Sequence, residues 1–437
     1  MKLSLPACIV LGLLAMSTAS PCQEIEDAVV VEDLGFDSRL LPAARPAALG
    51  GAYIAAGDDV HSMVYNPAGL SRLRRIETAI GFEYEKTRVD NTFFGTQAAV
   101  DQTSTNLDYL SIAYPFPSYR GSLVGAFGVY REYSAYLDVL NRGLNSTSNS
   151  VDDYMLQQSG SIFSYNFACA IDLSPTLAVG GTFSILDGTI NALTQWSYEF
   201  QDAVLPPTIP REYFLLDDLE VDMDGYGGRV GVQYFPHRKL RFGMVMSTPV
   251  WINLAGEANT EETKYFDTGP GSFTRTNFAV DMDIRLPYRI EGGVCYTPHN
   301  FLLAFDIGYA DWSQSSINQV RLRDDNLRAV QREVVDIHLG VEYALPQAPI
   351  WARAGYAYVP YSLSYLQADR IDGTGDTFFK GKIDKERQIY SLGIGGLVGR
   401  VLALDATYQY RSGERSIATL EDVRVQHRML LSASYRF

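Results

Sequence analysis

The sequence predicts an all-β fold, a transmembrane antiparallel β-barrel of about fourteen strands closed around an N-terminal plug. Three observations predict it. From Glu77 onward apolar and polar residues alternate with period two. The connections between these stretches alternate between tight and long, as short periplasmic turns and longer extracellular loops would. The chain also ends with Val425, Met429, Leu431, Ala433, Tyr435 and Phe437 on one face of its last strand. Such an ending resembles the signal by which outer-membrane barrels are recognised for assembly, and the barrel-assembly machinery is the partner it implies.

Composition fits the same class. A chain of 437 residues would by length suggest two or three soluble domains. Its 28 Tyr, 21 Phe and 37 Gly instead match strands that are apolar on only one face. Past the N-terminus no window of about twenty residues is free of charge, so no transmembrane helix is expected.

Residues 1–22 read as a targeting signal, with Lys2 at its start, an apolar run from Leu5 to Met16, and a small-residue zone from Ser17 to Cys22. Pro21 ahead of Cys22 disfavours a lipoprotein, and cleavage is expected between Ser20 and Gln23. The destination this implies is a bacterial outer membrane, with its lipid and lipopolysaccharide as surroundings.

Residues 23–76 are expected to form the plug, and 77–437 the barrel. Gln23 to Phe36 is an acidic and apolar lead. Arg45 to Leu70 is rich in small residues such as Ala47, Ala48, Gly50, Gly51, Ala55 and Ala56, which permit close backbone packing in a confined space. Gly57 or Asp58 is expected to cap a helical run ending at Tyr65, which Pro67 prevents from continuing. Asn66 then reads as a second N-cap with Pro67 at N1.

Along the barrel, Ile80, Phe82 and Tyr84 face lipid in the first strand, and Phe163, Tyr165 and Phe167 in the fourth. The eighth strand sets Ile284, Leu286, Tyr288, Ile290, Val294 and Tyr296 toward lipid, with a bulge or kink at Pro287, which has no N–H for the ladder. On the lumen face the alternation places Arg229, Arg241, Arg285, Arg289, Glu291, Asp306, Asp336, Arg353 and Asp405. Ion pairs between plug and wall are their expected role. Long polar loops are expected near 87–104, 138–157, 190–220, 256–277, 313–330, 360–384 and 412–423.

Little in the sequence suggests catalysis. His61, His237, His299, His338 and His427 are scattered, so no metal site is expected, nor any cofactor or enzymatic activity. Helix capping accounts for Asp58 and Asp59 better than a cation site does. Cys169 and Cys295 fall on opposite faces, so no disulfide is expected between them. A net charge of −15 disfavours nucleic acid. Loop aromatics such as Phe93, Trp196, Tyr198 and Tyr213 fit either an interfacial girdle or an apolar collecting surface.

The hatch motif Asn66-Pro67-Ala68, followed by Gly69-Leu70 and preceded by Ala-Leu-Gly-Gly-Ala and Gly-Asp-Asp, resembles that of the outer-membrane hydrocarbon and long-chain fatty acid transport family. The resemblance covers the plug at motif level and the barrel at pattern level. It implies passive transport of a hydrophobic small molecule, a hatch gated at Asn66, Pro67, Ala68 and Gly69, and a strand kink that opens a path into the bilayer. The acidic lead departs from the family pattern of a short apolar N-terminus. A related branch with the same segments serves as an accessory barrel of a protein-secretion system, an alternative that stays open here.

Overall fold

The structure, a computed structural model, describes residues 40–437 except 94, 120, 146–148, 202–204, 318–319, 322–331, 363–364, 370–376 and 418–419. The targeting segment and the acidic lead lie outside the described residues.

Fourteen antiparallel barrel strands follow one another round the wall. They are β1 (Glu77–Phe93), β2 (Thr96–Phe116), β3 (Leu123–Ser134, then Leu137–Asn145), β4 (Ser150–Ser174), β5 (Leu177–Phe200) and β6 (Glu212–His237). Next come β7 (Leu240–Ser247, then Val250–Tyr265), β8 (Ser272–Leu286, then Arg289–Tyr296), β9 (Phe301–Asp311) and β10 (Glu333–Ala344). The wall ends with β11 (Ile350–Val359), β12 (Thr377–Val398), β13 (Leu402–Ile417) and β14 (Leu420–Arg436). Pairing of β1 with β14, from Glu77↔Arg436 to Phe93↔Leu420, closes the sheet. Closure leaves no strand edge facing lipid, where an unpaired backbone group has no water to satisfy it.

Several strands are far longer than the roughly 9–11 residues a bilayer requires; β4, β5 and β6 have 25, 24 and 26. Much of what alternation suggests are long loops is therefore paired strand. In these extensions the sidedness inverts. Near the turns, β5 points Phe183 and Ile185 outward and Thr182 and Ser184 inward; further up, Asp187, Thr189 and Asn191 are exposed while Ile190, Ala192 and Trp196 are buried. On β6, Tyr226 and Val230 lie outside beside buried Arg229, whereas higher up Glu220 and Asp222 lie outside beside buried Val221 and Met223. Along β3–β8 the wall is thus apolar outside where it meets lipid and largely apolar inside where it projects into water, whereas on β1 Glu85, Thr87 and Asn91 are among the inward residues. Each half puts its apolar side chains out of contact with water.

The inversion corrects the expected register of β8. Its ladder breaks at Pro287–Tyr288, opposite a second break at Thr248–Pro249 in β7. The chain leaves the pleat there and the inward parity changes across the break: Ile284 and Leu286 face inward and are buried before it and Arg289 and Glu291 face inward after it, while Arg285 is exposed with its guanidinium over the Trp251 ring. Arg285 is therefore not a lumen residue. β3 is also interrupted, at Ala135–Tyr136, and β2 pairs only with its first half, from Tyr109↔Tyr130 to Phe116↔Leu123.

Within the barrel, α1 (Ala44–Ala48), α2 (Ser62–Tyr65) and a 3₁₀ turn (Pro67–Arg72) carry the plug, and nearly every residue from 43 to 71 is buried.

Candidate functional site

The plug is held by side chains reaching in from the wall to its backbone. Asn66 caps the 3₁₀ turn by accepting from the Ala68 N–H at 3.2 Å, with Pro67 at N1. Its amide donates to the Ile54 carbonyl at 2.8 Å and to the Val232 carbonyl of β6 at 3.1 Å. One residue thus ties two plug segments to the wall. Asp306 accepts from the Ile54 N–H at 2.7 Å, and Asp108 from the Ala43 N–H at 2.8 Å. Thr182 donates to the Met63 carbonyl, Thr407 to Ala44, Gln409 to Ala47, and Gln233 to Gly57. Arg229 donates to the Val64 carbonyl and lies 3.4 Å from Glu132.

Such close approach needs bare backbone on the wall. Side chains at Gly180, Gly231, Gly243 and Gly355 would land on Pro67, Asn66, Ile54 and Gly50 respectively. Gly50 itself has φ 64°, a left-handed turn that glycine adopts without strain.

On the side of the short turns, Arg45 organises a charged basin. It pairs with Asp58 at 2.7 Å, Asp59 at 3.0 Å and Glu342 at 3.4 Å, and donates to the Tyr53 hydroxyl. Arg241 adds a contact to Asp58, and Arg353 bridges Glu342 and Asp405. A cavity of about 410 Å³ opens beneath them. Asp58 is therefore an ion-pair partner of the plug. Asp59 is one too, and also accepts from the His61 N–H, while α2 has no side-chain cap at its first turn.

On the opposite side a cavity of about 130 Å³ lies between the plug and β6–β10. Leu40, Ile54, Val250, Leu286 and Trp312 supply its apolar surface, and Arg229, Arg289, Glu291, Asp306 and His338 its polar one. Arg289 pairs with Asp336 and with Glu291. Above the cavity the inward-facing extensions form a buried apolar cluster that includes Leu156, Ile190, Val221, Met223, Leu254, Met282 and Trp312. The interior on that side is thus lined with hydrocarbon, with Tyr198 stacked on Tyr213 at 5.1 Å further out.

The structure therefore brings Arg229, Arg241, Asp306 and the Asn66 turn together at the plug, and Arg353 with Asp405 below it. Sequence reasoning missed Arg45, Gln233, Thr407 and the inward wall glycines. Glycines recurring on the lumen-facing parity of successive strands are the signal that marks where a plug abuts. Among the described residues no group of three or more His, Cys, Asp or Glu is placed to hold a metal ion.

A closed barrel with a lipid-facing apolar band and an interior plug is an outer-membrane β-barrel. A family model described as BamG matches residues 41–349, and the chain belongs to that family. No curated protein matches the sequence. Among solved structures, the Pseudomonas putida toluene transporter TodX aligns with 90% of this chain and 98% of its own at TM-score 0.63 and 14% identity. The Ralstonia pickettii toluene transporter TbuX aligns over 91% and 99% at TM-score 0.62 and 14% identity. A Pseudomonas aeruginosa FadL homologue does so over 91% and 99% at TM-score 0.62 and 13% identity. At this identity the likeness is one of fold.

Proposed function

We propose that this barrel passes a hydrophobic small molecule across the outer membrane, passively, with residues 40–73 as the hatch. The observation that carries the reading is the inside-out extension. A barrel that only anchored or assembled would have no need of a hydrocarbon-lined interior ending in a cavity against its plug. An apolar solute leaving the lipopolysaccharide surface would partition into that lining, reach the cavity beside Ile54 and Leu286, and await movement of the Asn66–Gly69 turn. The solved structures of similar fold are named for toluene and as a FadL homologue, which points to hydrocarbons or long-chain fatty acids as the class. By size alone the cavity of about 130 Å³, with charged groups along one side, has room for about one aromatic ring and not for a long acyl chain. The paired breaks at Thr248–Pro249 and Pro287–Tyr288 border the same cavity and supply a sideways exit into lipid.

Uptake of labelled fatty acids and monoaromatic hydrocarbons into cells expressing the protein tests the reading, against vector and against N66A/P67A. Uptake above vector that changes in the double variant supports a gated hatch. A folded barrel that raises uptake of no panel member refutes it. A second reading, an accessory barrel in protein secretion or barrel assembly, draws on the density of contacts that fix the plug and on the family's name, which hints at barrel assembly. Stable co-purification with other envelope proteins, together with absent uptake, would select it.

A further inference from the structure

His338 on β10 projects into the seam between wall and plug. Its Nδ1 lies 2.6 Å from the Gly50 carbonyl and its Nε2 lies 2.7 Å from Asp336. Both partners are acceptors. A carbonyl oxygen has no proton to give, and the Asp336 oxygen that faces the ring also accepts from the Arg289 guanidinium. A neutral imidazole donates from only one nitrogen; both donate only in the imidazolium. We propose that His338 is a plug-positioning residue acting as a doubly donating imidazolium, so that the hold on Gly50 depends on a proton.

The charged groups around the ring are few. Asp336 lies on its own strand, Asp306 sits directly across the ladder on β9, and Arg289 and Glu291 approach from β8. β11 places Ala357 opposite, and among the described residues the plug presents the Gly50–Gly51 backbone, with Leu41 beside it. Loss of the proton leaves either nitrogen's lone pair against an oxygen. If Nδ1 is bare it faces the Gly50 carbonyl, and the turn loses its tie to β10. If Nε2 is bare the ring loses Asp336, which orients it. The Asp336 carboxylate is the stronger acceptor and keeps the Nε2 proton, so Nδ1 is the nitrogen left bare; the plug is held at low pH and loosened as pH rises through the titration of the ring. Gly50 also lies against the backbone of Tyr356, so the turn it shapes moves only by leaving the wall.

The inference rests on the reading of residues 40–73 as a movable hatch, but its readout is the plug itself and not transport. Amide hydrogen exchange of residues 49–57 is measured in lipid nanodiscs from pH 5.5 to 9 and expressed as protection factors, which removes the intrinsic pH dependence. In the wild-type protein protection should fall about tenfold or more across the transition, the loss of one charge-assisted hydrogen bond. H338Q should give a flat profile, D336N should move the transition to lower pH, and H61Q should leave it in place. A flat wild-type profile overturns the proposal, as does a fall that persists in H338Q or a transition that D336N leaves unmoved. Failure of every solute in the uptake assay, with the pH profile intact, would remove the transport reading and leave the proton-dependent anchor standing.

Discussion

Asn66→Ala removes three hydrogen bonds at once from a side chain that is fully buried. The lost N-cap costs about 1 kcal/mol. The Val232 carbonyl loses the amide's bond, and a buried polar group left unpaired costs about 1–3 kcal/mol. The Ile54 carbonyl keeps a contact from Gln233 at 3.3 Å, so it is only partly orphaned. The sum is about 2–4 kcal/mol against the seated plug, which raises the population of the unseated plug roughly 30- to 1,000-fold at 1.4 kcal/mol per tenfold. Hydrogen exchange of residues 54–70 in nanodiscs reads this directly, with the β4–β6 amides as an internal standard. Gly231 provides a check on the cause. Its Cα faces the Asn66 side-chain oxygen, so G231A alone should unseat the plug by clash, whereas G231A in the N66A background should add much less. Protection in N66A within about threefold of wild type would refute the argument that this residue fastens the two plug segments.

Further expectations follow from other contacts. Arg45→Met leaves Asp59 without a paired cation among the described residues, while Asp58 keeps Arg241 and Glu342 keeps Arg353, and should loosen the plug by about 1–3 kcal/mol; the measurement is faster labelling of buried Cys295 by a thiol reagent applied from the periplasmic side, and unchanged labelling would argue against Arg45 as the organiser. Gly355→Val places a side chain into the Gly50 backbone, with backbone on both sides and little room to yield; heat-modifiable mobility on gels should show loss of the assembled barrel, and normal assembly would mean that the plug adapts. Ile190→Asp buries a carboxylate in the apolar cluster and should cost at least about 3 kcal/mol, whereas Asp222→Ala on the outer side of the neighbouring strand should change the thermal midpoint hardly at all. Equal effects of these two substitutions would contradict the inverted sidedness of the extensions.

Strand number, closure and the identity of the plug were legible in the sequence because they depend on local signals. Period-two alternation needs only neighbours along the chain, and a proline after Asn66 restricts the backbone in any surroundings. The capping role of Asn66 could be read for the same reason. The orientation of Arg285 could not. Its face depends on the chain leaving the pleat at Pro287–Tyr288, where the inward parity changes, and on where the bilayer ends, beyond which the apolar face turns inward. Alternation alone reads the same in either case, so the extensions looked like polar loops and their apolar side looked as though it faced lipid.

The partners of Asp58 and Asp59 were equally out of reach, since Arg241 comes to Asp58 from a distant wall strand and Arg45 meets both only because the plug folds back on itself. What the sequence by itself determined is a closed barrel with a plug, because each strand's pattern and each turn are set locally. What only the tertiary structure decided is which carboxylate meets which guanidinium, which glycines the plug rests on, and that the inner face of the β3–β8 extensions is largely hydrocarbon. Those outcomes depend on wall residues far apart in sequence meeting at one level of the barrel, and strand register and closure fix that level.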